Sequence, residues 1–149
     1  MLRHLMAEPE LVEIMSHRCY GGTLYRFEHI SPVLGYCSMK LSAFVPSGPP
    51  TKFPGVIWLS GMTCTDESFA QRGGGLAMAE RLKLILIMPD TSPRGEGVPD
   101  EDGFDVGVGA SYYVNATTDK YRKHYRMLDY LTQDFVLLGG NCDSEAFTS

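Results

Sequence analysis

Val56-Ile57-Trp58-Leu59-Ser60-Gly61-Met62-Thr63-Cys64 starts as an apolar strand and ends in small residues. Leu84-Ile85-Leu86-Ile87-Met88 is a second continuous apolar run. Neither alternates, and strands lose alternation when both faces are covered, as in a parallel sheet flanked by helices. Between the two runs, Phe69, Leu76, Ala79 and Leu82 carry helical spacing. Gly73-Gly74-Gly75 divides that segment into two short helices, since three glycines are costly inside one. Strand, helix and strand predict one right-handed βαβ unit and an α/β fold.

Outward from this unit the pattern changes. Upstream, Leu24, Arg26 and Glu28 alternate with Tyr25, Phe27 and His29, and Met39, Leu41, Ala43 and Val45 alternate with Lys40, Ser42 and Phe44. Period two predicts two antiparallel strands, each with one face on a core. Ser31-Pro32 and Gly35 separate them, and Pro46-Ser-Gly-Pro-Pro50 ends the pair. Residues 1–17 read as a leader with at most a short helical turn. Downstream, a polar loop runs from Pro89 to Thr118. Tyr121, Tyr125, Leu128, Leu131, Phe135 and Leu138 then step by three and four, which predicts a helix capped by Thr118 or Asp119 and docked on the sheet. Gly139-Gly140 ends that helix. The domain expectation is a leader over 1–17, a partial domain over 18–138 and a divergent tail over 139–149.

The chain has 149 residues, room for one domain and too few for two cores. Its formal charge of -5 argues against a nucleic-acid grip driven by general positive charge. No stretch reaches the ~20 apolar residues that a bilayer-crossing helix needs. The start has no apolar core of signal-peptide length, so a cytosolic chain without membrane partners is the expectation. Cys19, Cys37, Cys64 and Cys142 form no CxxC pair and read as free thiols.

Most catalytic motifs are missing. There is no G-x-S-x-G, the nucleophile elbow of serine hydrolases, and no phosphate loop ending in Gly-Lys-Ser/Thr. Gly107-Val-Gly109 begins a dinucleotide pattern, but Tyr112 stands where its third glycine belongs. An EF-hand loop begun at Asp100 needs glycine at Asp105. His4, His17, His29 and His124 lack ligand spacing, so no metal is expected. The sharper feature is Ser60 to Cys64, where a strand leaves the sheet before a helix. Ligands bind at the carboxyl ends of strands in open α/β sheets. Small residues there let backbone N–H groups face a ligand, as an oxyanion hole requires. An ordinary βα turn with a buried thiol is the alternative.

Trp58-Leu-Ser-Gly-Met-Thr-Cys-Thr-Asp66 resembles the strand-loop signature of S-formylglutathione hydrolases, also called esterase D. Cys19-Tyr-Gly-Gly22, Pro89-Asp-Thr-Ser-Pro-Arg-Gly95, Phe104-Asp-Val-Gly-Val-Gly109, Tyr112-Tyr-Val-Asn-Ala-Thr117 and Tyr125-Arg-Met127 match in the family's order. The resemblance covers roughly residues 18 to 135. It implies an α/β-hydrolase fold, of which this chain holds the N-terminal part: an antiparallel strand pair, a βαβ unit and a further helix, ending before the nucleophile strand. It implies hydrolysis of the thioester S-formylglutathione to glutathione and formate, in formaldehyde removal, without metal or organic cofactor and often by homodimers. Met62 is implied as a backbone oxyanion donor, with Gly61, Thr63 and Cys64 lining the substrate site and Cys64 not the nucleophile. The family's Ser, Asp and His come later than the matched blocks, so the resemblance predicts a chain inactive alone. A truncated product that binds a full-length homologue through an uncovered edge strand is the second expectation. A small esterase using Ser60 or Cys64 as nucleophile is the third, and it lacks an evident base in the nearby sequence.

Overall fold

A computed structural model describes residues 10–49 and 53–134. Five strands form one mixed sheet: β1 (Val12–Cys19), β2 (Gly22–Ser31), β3 (Cys37–Val45), β4 (Gly55–Ile57) and β5 (Ile85–Pro89). Their spatial order is β1-β2-β3-β5-β4. Neighbours are antiparallel except β4 and β5, which are parallel. Two short helices, α1 (Ser68–Arg72) and α2 (Leu76–Leu82), connect β4 to β5. This is the expected βαβ unit with its helix broken at the glycine triplet. The break has a packing cause as well. A Cβ on Gly73 would lie 2.4 Å from the Phe69 ring, and one on Gly75 would lie 2.7 Å from it. Phe69 in turn packs against Trp58, with ring centroids 4.1 Å apart.

The core lies on both faces of β3 and β5. Because strand side chains alternate, Met39, Leu41, Ala43 and Val45 join Ile85 and Ile87 in one cluster, while Phe44, Leu86 and Met88 join Leu24, Leu76 and Ala79 in another. β5 is buried along its whole length, as its unbroken apolar run predicts.

Three expectations need correction. Val12–Cys19 is a strand, so residues 12–17 belong to the sheet and not to a leader with a helical turn. Its alternation is masked by a register shift between Glu13 and Met15, and its faces are mostly exposed. The hairpin to β2 has positive φ at both central residues, 52° at Tyr20 and 97° at Gly21, the pattern of a type I′ turn that matches strand twist. Second, Val56, Ile57, Trp58 and Leu59 are 41%, 49%, 43% and 42% exposed, not covered on both faces. β4 is the sheet edge, and its second neighbour position is empty among the described residues. Third, the helix over 121–138 does not begin at Thr118 or Asp119. Residues 118–125 form separate turns, in which the Arg122 N–H donates to the Thr118 carbonyl and the Tyr125 N–H to the Tyr121 carbonyl. Arg126 then leaves the helical region (φ -118°, ψ 53°) and bridges Asn115. A helical turn, α3 (Met127–Asp129), follows and widens into a π-helical turn over Tyr130–Asp134. Its buried face is Met127, Tyr130 and Asp134, so Leu128 is exposed. The step of three and four holds from Met127, but its phase is shifted. Phe135 and Leu138 lie outside the described residues, as do Gly139-Gly140, His4, Cys142 and the tail from 139.

Cys19, Cys37 and Cys64 are free thiols. Among the described residues no helix is long and apolar enough to cross a membrane. Glu80 ties α2 to the chain leaving β3. It accepts from the Ser47 N–H at 2.8 Å and the Ser47 hydroxyl at 2.5 Å, and it pairs with Lys83. The Lys83 ammonium, and then the Ser47 hydroxyl, lower the Glu80 carboxyl from 4.5 to about 2. A carboxylate lowered by folding adds stability that is complete above its unfolded value and is lost as pH falls toward the folded one. Urea unfolding of the chain and of Glu80→Gln across pH 5 to 2 is expected to show their stability difference shrinking through this window.

Candidate functional site

The parallel pair β4 and β5 ends on one side of the sheet, so residues 58–66 and 90–94 leave it side by side. The Trp58 N–H donates to the Ile87 carbonyl at 2.8 Å and extends the ladder one residue beyond β4. Ser60 is buried, and its carbonyl accepts from the Tyr113 hydroxyl at 2.6 Å. Burial, and then the charges of Asp90 and Cys64, raise that phenol to about 12 and keep it a donor.

Gly61 to Cys64 form a tight turn. The Cys64 N–H donates to the Gly61 carbonyl at 3.2 Å, and Thr63 sits at φ 63°. Positive φ at the third residue is the type II pattern, normally given to glycine. A β-branched residue there is strained, at a cost of order 1–3 kcal/mol, and such strain persists only where surrounding bonds enforce it. The enforcing bonds are present. The Thr63 N–H donates to the Gly109 carbonyl at 2.8 Å, and the Gly109 N–H donates to the Ser92 hydroxyl at 2.7 Å. Gly109 has φ +81°, and a Cβ there would stand 3.6 Å from the Thr63 Cα. The Cys64 carbonyl accepts from the Thr91 hydroxyl at 2.6 Å and from Arg94 Nη2 at 3.0 Å.

This turn has a directional consequence. In a trans peptide the C=O and the following N–H point in opposite directions. The Gly61 carbonyl is turned inward to Cys64, so the Met62 N–H is turned outward. It donates no hydrogen bond among the described residues, and Met62 is exposed. A Cβ placed on Gly61 would meet nothing within 4 Å, which leaves open space beside that N–H. The arrangement offers a fixed, unpaired backbone donor to an acceptor atom.

Gly61, Met62, Thr63 and Cys64 are therefore brought together, as expected. The histidines are not. His29 is buried beside the Tyr130 hydroxyl at 3.0 Å, His124 Nδ1 faces the Leu34 carbonyl and the Cys37 thiol, and His17 lines a cleft under β1. None of the three touches Ser60 or Cys64, so neither has an imidazole base among the described residues. A cavity of about 270 Å³ lies beyond the Thr91–Ser92 loop, with Tyr112, Tyr121, Tyr125 and Met127 in its wall, and residues 60–64 do not line it. Among the described residues no group of three or more His, Cys, Asp or Glu is placed to hold a metal ion.

Sequence reasoning missed the support beneath the turn. Asp90, Thr91, Ser92, Arg94 and Gly109 carry it from one side. On the other, buried Asp66 accepts from Arg26 Nε at 2.7 Å, Arg26 Nη2 at 3.0 Å and the Ser42 hydroxyl at 3.0 Å, which locks the end of the turn to β2 and β3. The signal was Pro89-Asp-Thr-Ser-Pro-Arg-Gly95 at the carboxyl end of the second parallel strand, the place where ligand sites gather.

The Esterase family model matches residues 31–138. The S-formylglutathione hydrolase of Rattus norvegicus is 42% identical over 131 residues, which are 87% of this chain and 46% of that protein. The solved structure of an S-formylglutathione hydrolase from Agrobacterium tumefaciens superposes with a TM-score of 0.80 at 36% identity, over 86% of this chain and 47% of that one. The chain thus spans about half the length of these relatives.

Removing one partner of a buried ion pair strands the other charge, at about 3–5 kcal/mol. Arg26 keeps some solvent contact, so Asp66→Ala is expected to lower stability by about 3 kcal/mol. Urea denaturation of both proteins checks the value.

Proposed function

The chain belongs to the Esterase family, and from that premise we propose that it carries the oxyanion-binding, amino-terminal half of an S-formylglutathione hydrolase. The reaction is cleavage of the thioester S-formylglutathione to glutathione and formate, in the removal of formaldehyde. The observation that carries the reading is the outward, unpaired Met62 N–H in a turn held from both sides. Attack on a thioester carbonyl puts negative charge on its oxygen. A donor already aimed at that oxygen stabilises the charge without rearranging at the moment of reaction, and one such donor is worth roughly 10²–10³ in kcat. Gly61 leaves room for the acyl group, and Thr63 and Cys64 border it. The Cys64 thiol stands near the site without acting as nucleophile, since no imidazole among the described residues reaches it.

These 149 residues hold no G-x-S-x-G, so the nucleophile of this reading comes from elsewhere, and the family resemblance implies the same of its base and the second oxyanion donor. The chain alone does not turn over by a triad mechanism. No metal or organic cofactor takes part. A reducing cytosol suits the three free thiols.

A second reading rests on the β4 edge, which has no second neighbour among the described residues. Exposed Val56 and Ile57 beside unpaired strand groups form a surface that accepts another chain. In that reading the chain is a non-catalytic product that associates with a full-length homologue. Pull-down with the rat enzyme against an unrelated esterase separates the two readings. Capture lost in Ile57→Lys supports association, and recovery equal to the control excludes it.

The main reading is tested by co-expressing the chain with the unmatched half of the rat enzyme and assaying S-formylglutathione. Hydrolysis is expected for the pair and not for the chain alone. Met62→Pro removes the N–H at a turn position that proline favours, and it is expected to lower kcat about 10²-fold or more. Met62→Ala keeps the donor and is expected to stay within a few-fold of the parent. Equal loss in both variants, or hydrolysis by the chain alone, contradicts the assignment.

A further inference from the structure

We infer that Arg94, braced by Asp90, is a positioning residue that sets the direction of the Met62 N–H through the carbonyl of Cys64. The inference rests on the oxyanion reading for its catalytic meaning, but its geometry stands apart from it. Asp90 begins the loop after β5. Its own N–H donates to the Lys40 carbonyl at 3.0 Å, which ties it to β3. Its carboxylate is buried and accepts from the Thr91 N–H at 2.6 Å. It also accepts from Arg94 Nε at 3.0 Å and 3.1 Å and from Arg94 Nη2 at 3.1 Å. The guanidinium plane is thus fixed against the sheet before it reaches the turn.

From that fixed plane, Nη2 donates to the Cys64 carbonyl at 3.0 Å, beside the Thr91 hydroxyl at 2.6 Å. A carbonyl that accepts two bonds, one of them from a charged donor, is held in direction as well as in place. The Cys64 N–H lies at the other side of the same residue and closes the turn on the Gly61 carbonyl. The Gly61 carbonyl in turn determines where the Met62 N–H points. Four links therefore connect Asp90 to the free donor: carboxylate to guanidinium, guanidinium to Cys64 carbonyl, Cys64 N–H to Gly61 carbonyl, and the trans peptide.

The strain at Thr63 makes the brace necessary. A residue held at φ 63° against its preference relaxes when its neighbours are released. Without Arg94 the Cys64 carbonyl keeps only Thr91, a neutral donor on a single rotatable bond. Lysine cannot replace the arginine, because a point charge does not hold a carboxylate and a carbonyl with one rigid fork.

Amide hydrogen exchange on the 149-residue chain tests this without any hydrolysis. Arg94→Ala and Arg94→Lys are both expected to speed exchange of the Thr63 and Cys64 amides about tenfold or more, while the β5 amides of Ile85 to Met88 stay at parent rates. Unchanged Thr63 and Cys64 exchange in both variants overturns the inference. So does a loss of protection that is equal in the turn and in β5, because that reports general destabilisation. If Arg94→Ala does not fold, Arg94→Lys alone decides. In the co-expressed enzyme, Arg94→Lys is expected to lower kcat about tenfold with KM within twofold. If that enzyme hydrolyses nothing, the oxyanion reading fails while the exchange result still decides the role of Arg94.

Discussion

The bond from the Trp58 N–H to the Ile87 carbonyl is the last rung of the only parallel pairing among the described strands, and the site is suspended from it. Parallel strands must be joined by a crossover, and here that crossover is α1 and α2. The same geometry forces both strands to end at one side of the sheet. The Ser60–Asp66 loop and the Asp90–Arg94 loop are therefore neighbours before any side chain is chosen. With antiparallel pairing, Arg94 could not reach the Cys64 carbonyl.

From that constraint the support is built by small, well-directed bonds. Asp66 anchors the end of the first loop to Arg26 and Ser42 on the sheet, and Asp90 anchors the second to β3. Gly109 is brought close enough to accept the Thr63 N–H by a backbone conformation that favours glycine. The strained residue and its restraints belong together, since the restraints allow a free donor to keep one direction in the absence of substrate. The same pairing leaves β4 at the edge, with no second neighbour among the described residues. A turn held at the carboxyl end of β4 and an edge with no second neighbour among the described residues are two results of one topology.

The sequence shows some of this plainly and some not at all. Leu84-Ile-Leu-Ile-Met88 reads as a buried strand because nothing in it tolerates water, and β5 is one. Val56-Ile-Trp-Leu59 has the same composition, and composition does not say which strand lies at the edge, so its exposure was legible only through the family resemblance, which expects an uncovered edge strand. β1 was hidden by the register shift at Glu13 to Met15 and by solvent on its faces. The phase of the last helix was lost because Tyr121 and Tyr125 belong to an earlier turn that shares its spacing by chance of packing. At the site, small residues after a strand marked Gly61 to Cys64. Arg94 and Gly109 stood in blocks that match the family, but their contact with the turn was beyond reach, because thirty residues and more separate them from it.

The central claim is that the turn holds the Met62 N–H outward and unpaired while the next two N–H groups, those of Thr63 and Cys64, are bonded. Residue-resolved amide hydrogen exchange of the parent chain measures this directly. Slow exchange at Thr63 and Cys64 with fast exchange at Met62 is the predicted result. Protection at Met62 equal to that of Thr63 would mean the donor is already satisfied, and would contradict the account.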